Sequence, residues 1–335
     1  VQEREEGSVS ERMRLQEGVG LKGLSPTSGK FGIKKTYTDY NKMLDEEDLD
    51  IISVLTPPYV HAEQTVAAAE HGCHIFCEKP MAANMTEVDQ MIEAAEKNNV
   101  KLAIAENVRY AAENVLAKKN IERGVIGDLF FIRFEEFMWN LDPTYRRLYE
   151  RLLVFEMDVH YIDPLRWLAN SDPEYVHAVI RRVPNQDVKY ENFAAITIEF
   201  KNGVVGKVED SWASVTPHQY CVRGRIDGTQ GTIFLNWGYP YKTSVEVYSE
   251  KEHSTIIPDI PEFPPAPEGL SPYVEYPPSY ICPWPQRNWF AGTIAVTRDF
   301  VKSIKEDLEP ATSGKDYRKT MQIDFAAYES AEKHK

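Results

Sequence analysis

The chain has 335 residues, and 42% of them are hydrophobic. It is therefore long enough and apolar enough for two domains with real cores, and a disordered polypeptide is excluded. Its net charge of −14 argues against a surface built for nucleic acid or an anionic membrane, and no apolar run approaches the roughly 18 residues that would cross a bilayer.

The opening stretch VQEREEGSVS has no signal-peptide core, so a cytoplasmic protein is expected; the chain does not begin with Met, which leaves a removed leader open. Ser8 and Glu11 fit a capping box, so Ser10–Gln16 reads as a short helix that stops at Gly18. Val19–Leu24 then reads as a strand, followed by the turn-forming SPTSG. Gly18-Val19-Gly20-Leu21-Lys22-Gly23 spells G-x-G-x-x-G, but in the order helix, turn, strand. A pyrophosphate cradle needs the order strand, loop, helix. The first strand and glycine loop of such a unit belong before residue 8, where VQEREEG is too polar for a central parallel strand. Either the biological chain extends upstream of Val1 and supplies that strand, or residues 1–7 and the rest rearrange to close the gap. After the second strand a dinucleotide site places its reader of the adenosine ribose. Ser25, Thr27, Ser28 and Lys30 stand there with no acid, a set that favours NADP(H) over NAD(H); a solvated turn is the alternative.

Leu49–Leu55 reads as a buried strand, ended by Thr56-Pro57-Pro58. His61–Glu70 is an Ala-rich helix stopped at Gly72, and Cys73–Cys77 is a strand that runs into Glu78-Lys79-Pro80. Residues 86–99 form an amphipathic helix with Met91, Ala94 and Ala95 inward, and residues 100–107 a further strand. This βαβαβ order predicts a parallel, doubly wound Rossmann sheet, incomplete at its start. Ligands of such sheets bind at the carboxyl ends of the strands. Thr56, Pro57, Pro58, Glu78, Lys79 and Asn107 fall at those ends, with His61 opening the next helix; these are the candidate cofactor contacts.

The stretch TPPYVHAEQTVAAAEHGCHIFCEKPMA resembles the signature of the glucose–fructose oxidoreductase / inositol dehydrogenase (Gfo/Idh/MocA) family. The similarity continues through ENVRY, GVIGDLFFIRF, HYIDPLRWL, GTQGTI and AAYESAE, and covers nearly the whole chain after about residue 20. It implies a Rossmann domain, here 1–108, and an α/β domain with an open, mostly antiparallel sheet, here 109–335. It also implies nicotinamide cofactors and oxidation or reduction of a sugar or cyclitol hydroxyl carbon, with the E-K-P lysine, Lys79, in a catalytic place.

The second half agrees. LFFIRFEEF, EYVHAVIRRV, FAAITIEF, VVGKVEDSW, QYCVRGRI, GTIFL and SVEVYS are successive β-rich segments, with turn signals at Lys201-Asn202-Gly203 and Asp227-Gly228. Ten of the 21 prolines fall in residues 258–285 among Tyr273, Tyr276, Tyr280 and Trp284, so that segment is either a rigid surface loop or a lid or subunit contact. Cys73, Cys77, Cys221 and Cys282 form no C-x-x-C, no Cys/His cluster has zinc spacing, and no metal site is expected.

Hydride transfer at a carbinol carbon needs a held nicotinamide, a base for the hydroxyl proton and a stabiliser of the alkoxide. Lys79 suits the last role. The resembled family has an Asp four residues before a His and a Gly two before it; here those places hold Glu156, His160 and Asp158, and RLLVF replaces a run of small residues. On a regular helix Glu156, His160 and Asp163 share one face, and Asp158 lies about 200° round from Glu156. His160 is then the proton acceptor, Glu156 orients it or contacts substrate, Asp163 joins the substrate contacts, and Pro164 kinks the helix. A helix-face ion pair is the plainer alternative. Tyr145, Arg146, Arg147 and Arg151 precede this segment as a solvated face or a site for an acidic sugar.

Three functions are carried forward. The first is an NAD(P)-dependent oxidoreductase of a sugar, cyclitol or related polyol. The second is a non-catalytic binding or assembly protein of the same fold without cofactor. The third is a redox-assisted glycoside-cleaving enzyme. A homodimer or homotetramer through the second sheet is expected, because its open face would expose apolar area.

Overall fold

A computed structural model describes residues 34–141, 146, 149–216, 222–237, 243–250, 253–258 and 286–333. The readings at Ser10–Gln16, Val19–Leu24, Ser25, Thr27, Ser28 and Lys30, the gap before residue 8, Cys221, Cys282 and nearly all of the proline-rich segment lie outside the described residues. The chain divides into two compact units, 1–49 and 50–335. In the first, helix α1 (Tyr40–Glu46) starts at Asp39, whose carboxylate accepts the Asn41 N–H at 2.9 Å, and it buries Leu44. The boundary expected at 108/109 falls between two sheets inside the second unit.

The first sheet is parallel, in the order β1 (Ile51–Val54), β2 (His74–Cys77), β3 (Leu102–Ile104). Each strand is followed by a tight, polar end. Helix α2 (His61–Glu70) connects β1 to β2 and stops where Gly72 takes φ +76°. Helix α3 (Met85–Lys97) connects β2 to β3. Its start is a reciprocal cap: Asn84 accepts the Glu87 N–H at 2.9 Å and Glu87 accepts the Ala83 N–H at 3.0 Å. Val88, Met91 and Ala95 face inward, so Val88 takes the place expected for Ala94. Cys73 and Cys77 are buried free thiols.

A 3₁₀ turn, Val108–Tyr110, and helix α4 (Ala112–Glu122) lead to the second sheet. Its strands are β4 (Leu129–Phe137), β5 (Pro173–Arg181), β6 (Phe193–Phe200), β7 (Val205–Ser211), β8 (Val222–Gly228), β9 (Gly231–Trp237), β10 (Ser244–Ser249) and β11 (His253–Ile256). They lie in the order β11-β10-β9-β8-β4-β7-β6-β5; β4 and β7 run parallel and every other neighbouring pair antiparallel. The β8–β9 turn is Thr229–Gln230, two places beyond the expected Asp227-Gly228. Gly228 instead ends the strand, where a Cβ would stand 2.2 Å from the Ile126 carbonyl oxygen.

Helix α5 (Val159–Ala169) and helix α7 (Gly314–Lys333) pack on the inner face of this sheet, and α6 (Gln286–Glu306) lies beside the first sheet. Alternation along β4 turns Ile132, Phe134 and Glu136 inward and Arg133, Glu135 and Phe137 outward. Phe134 stacks on Trp237 at 5.7 Å and on Tyr161 at 6.2 Å in the centre of the core. Beside them three acids are fully buried. Burial pushes the Glu136 carboxyl up to about 8 and Asp158 up to about 7, and raises Asp210 with them. The group therefore holds protons that exposed carboxylates release, which lowers the cost of placing it there.

Candidate active site

The three parallel strands end together. After β1 the chain bends at Thr56, whose hydroxyl donates to Gln64 Oε1 at 2.7 Å. His61, read as a cofactor contact, is fully buried. Its Nε2 lies 2.6 Å from the Thr56 carbonyl oxygen, and its Nδ1 lies 3.1 and 3.2 Å from those of Pro80 and Met81. Burial lowers its pKa while those carbonyls oppose the fall. His61 thus ties the loop after β1 to the loop after β2, and it shapes the site from behind.

After β2 come Glu78 and Lys79, with a cis bond to Pro80. The Lys79 backbone N–H donates to Glu78 Oε2 at 2.8 Å, and the Lys79 ammonium donates to the Glu156 carbonyl oxygen at 2.6 Å. Burial raises the Glu78 carboxyl. After β3 come Glu106 and Asn107. Asn107 donates from Nδ2 to Thr293 Oγ1 at 3.3 Å, and α6 approaches so closely that a Cβ at Gly292 would stand 2.3 Å from the Asn107 carbonyl oxygen. Phe76 stacks on Phe300 of the same helix at 5.4 Å.

The opposite wall comes from the segment before α5. Leu153–Asp158 is wound as a π-helical turn, a form that recurs at functional sites. Glu191 holds its start: the carboxylate accepts the Leu152 N–H at 3.1 Å, the Val154 N–H at 3.2 Å and the Tyr328 hydroxyl. The π winding breaks the regular helical phase expected for Glu156, His160 and Asp163. Glu156 meets Lys79 through its main-chain carbonyl, and its carboxylate pairs with Arg146 at 2.9 Å. It does not orient His160. Asp163 is also displaced from its expected role: fully buried, it is bonded twice by Arg109, at 2.5 and 2.7 Å. The α-helix runs through Pro164 to Ala169. Tyr145 and Arg147 lie outside the described residues, and Arg151 sits over the Tyr328 ring at 4.5 Å.

His160 does reach the strand ends. It lines a cavity of about 360 Å³ together with Glu78, Lys79 and Asn107, and Thr293 and Thr297 of α6 close one side. Leu55, Phe76 and Ala105 form its apolar wall. Thr56, Pro57 and Pro58 stay at the end of β1 and do not line it. Its volume and its mixture of apolar wall and converging polar groups suit a flat heteroaromatic ring beside a small hydroxylated molecule. Sequence reasoning missed Glu106, Thr293 and Thr297. Glu106 carried a signal, as an acid directly after the apolar run of β3; the two threonines carried none. Among the described residues no group of three or more His, Cys, Asp or Glu is placed to hold a metal, and no helix is long and apolar enough to cross a membrane.

The family model described as an oxidoreductase family with an NAD-binding Rossmann fold matches residues 22–106. The model of the GFO/IDH/MocA C-terminal domain matches residues 115–234. D-apiose dehydrogenase from Rhizobium rhizogenes is 26% identical over 320 residues, 92% of this chain and 85% of that protein. Levoglucosan dehydrogenase from Pseudarthrobacter phenanthrenivorans is 27% identical over 336 residues, 91% of this chain and 83% of that protein. A crystal structure of an oxidoreductase from Agrobacterium radiobacter in complex with NAD⁺, L-tartaric acid and magnesium aligns with a TM-score of 0.81 at 25% identity, covering 94% of this chain and 87% of that one.

Proposed function

The chain belongs to the GFO/IDH/MocA oxidoreductase family, and from that premise we propose that it moves a hydride between a nicotinamide cofactor and a hydroxyl-bearing carbon of a sugar, cyclitol or related polyol. The observation that carries this reading is the cavity at the carboxyl ends of three parallel strands, where Glu78, Lys79 and Asn107 meet His160. A nicotinamide bound there would accept the hydride when the polyol is oxidised and donate it when the carbonyl is reduced. Leu55, Phe76 and Ala105 offer the wall for its ring, and Asn107 and the α6 threonines offer polar contacts beside it. Lys79 stabilises the developing alkoxide, because an ammonium within a partly enclosed cavity acts through a lower dielectric than water. His160 takes the hydroxyl proton. The relatives named for D-apiose and levoglucosan support a small carbohydrate as substrate.

The cofactor preference is NADP(H), on the strength of Ser25, Thr27, Ser28 and Lys30 in place of an acidic ribose reader. Fluorescence titration with NADH and NADPH, followed by a panel of aldoses, anhydrosugars and inositols, tests both statements. Tighter NADPH binding and turnover of at least one polyol are expected. Preference for NADH overturns the cofactor preference alone. Binding of neither cofactor replaces the oxidoreductase reading with the non-catalytic one.

The protein assembles as a homodimer or homotetramer through the outer face of the second sheet. That face exposes Phe137, Tyr175 and Tyr248 among charged pairs such as Arg133–Glu209 at 2.6 Å, so aromatic area and both signs of charge are available to a second copy. Light scattering at micromolar concentration should give a multiple of 38.4 kDa; a monomer throughout refutes the assembly.

A further inference from the structure

Glu106 is fully buried, yet its carboxylate has three polar neighbours. Its Oε1 lies 2.7 Å from His160 Nδ1 and accepts the Val108 N–H at 3.1 Å. Its Oε2 accepts the Tyr317 hydroxyl at 3.1 Å. The Val108 N–H and the Tyr317 hydroxyl donate to the carboxylate and favour its ionised form, in which it can accept a further hydrogen from the ring nitrogen 2.7 Å away. We propose that Glu106 is the positioning residue of the site: it accepts Nδ1–H from His160 and so leaves Nε2 as the nitrogen that takes the substrate's hydroxyl proton. This rests on the dehydrogenase reading given above, and it moves the orienting role from Glu156 to a residue of the strand-end cluster.

The pairing has a consequence for pH. Glu106 faces His160, and the charged and titratable groups that bear on the pair are Asp163 of α5, Tyr317 of α7, Glu78 and Lys79 after β2, and Glu156 of the π turn. Burial, and then the Asp163 charge, push the Glu106 carboxyl up to about 8, while burial holds His160 well below its usual range. The two titrate as one unit. If the pair gains a proton on the ring, both nitrogens carry hydrogen. If it gains one on the acid, the acid donates to Nδ1 and the ring becomes the Nε2–H form. In either case Nε2 can no longer accept. Oxidation should therefore rise with pH as the pair loses that proton.

Two measurements on the full chain decide the point. The first is ¹⁵N NMR of histidine-labelled protein, with His160→Gln assigning the signals. It should show His160 at pH 9 with hydrogen on Nδ1 and none on Nε2, and Nε2 should gain hydrogen as pH falls through about 8. The second is the pH profile of Glu106→Gln, which keeps the shape but removes the titrating acid. Its acid limb should move down by at least one pH unit, and kcat should fall at least tenfold with KM for the polyol within threefold. An Nε2–H ring in the wild type at pH 9, or a Glu106→Gln profile that superposes on the wild type, overturns the assignment. Should the protein turn over no polyol, the dehydrogenase reading fails, and the NMR result still decides whether Glu106 sets the state of His160.

Discussion

Turnover by the Lys79→Met protein falls about 10²- to 10⁴-fold, the range attributed to a positioned proton-transfer or charge-stabilising group, while nicotinamide affinity changes little. Lys79 brings the cation among the described residues that line the cavity. The bond from its Nζ to the Glu156 carbonyl oxygen fixes where that charge stands. Methionine keeps the unbranched stem, one atom shorter, and removes the charge and the donors. Arginine preserves charge but substitutes a planar fork that cannot occupy the same point or exchange a proton near neutral pH, so Lys79→Arg should not restore the rate. Measuring kcat together with NAD(P)H affinity by fluorescence separates lost chemistry from a lost site. A Lys79→Met enzyme within tenfold of the wild type removes Lys79 from the mechanism. Equal losses of rate and cofactor affinity assign it to binding instead.

What the sequence made legible follows from the range of the forces that set each feature. The ends of β1, β2 and β3 are local events: an apolar run stops, and Thr56-Pro57, Glu78-Lys79 or Asn107 follows. Parallel topology then brings the three ends together without further information. His160 is legible from the pattern of the resembled family, four residues after Glu156, and from the helix face it shares with Asp163. The partners of these residues were not legible. A regular helix sets one phase for Glu156, yet Glu191 and Tyr328, far along the chain, hold Leu153–Asp158 as a π turn. Asp163 was placed on the correct element, but its partner Arg109 lies 54 residues away. Whether a buried acid faces a ligand or a guanidinium is decided by the packing of α5 against the segment after β3. The β8–β9 turn shows the same limit at short range. Asp227-Gly228 is a good turn dipeptide, yet Gly228 is needed where the strand passes the Ile126 carbonyl, and the turn moves to Thr229–Gln230.

Asp163→Ala should cost about 3–5 kcal/mol of stability, the typical result of removing one partner from a buried ion pair. Arg109 is 3% exposed and Asp163 fully buried. Asp163 accepts two bonds from Arg109 and a third from the Thr320 hydroxyl at 2.8 Å. Asp316 accepts from Arg109 and Arg166, each at 2.6 Å, but its side chain is 31% exposed, so water screens it and it cannot replace the charge lost in the interior. The variant therefore leaves a guanidinium in the core with half its compensation. These contacts join the turn after β3 to α5 and α7, so the loss is felt where the strand-end cluster meets His160. Urea denaturation followed by tryptophan fluorescence, with midpoints and slopes both compared, reads the effect. The paired variant Arg109→Met/Asp163→Leu removes both charges and should recover much of the loss, because the penalty comes from the unpaired ion. A substrate contact would behave otherwise. Asp163→Asn keeps the shape and one acceptor, so a ligand role predicts a raised KM on an unchanged midpoint, and the ion-pair role predicts the reverse. A midpoint for Asp163→Ala within about 1 kcal/mol of the wild type would show that the Arg109–Asp163 pair does not hold the core, and would return Asp163 to the substrate side of the cavity.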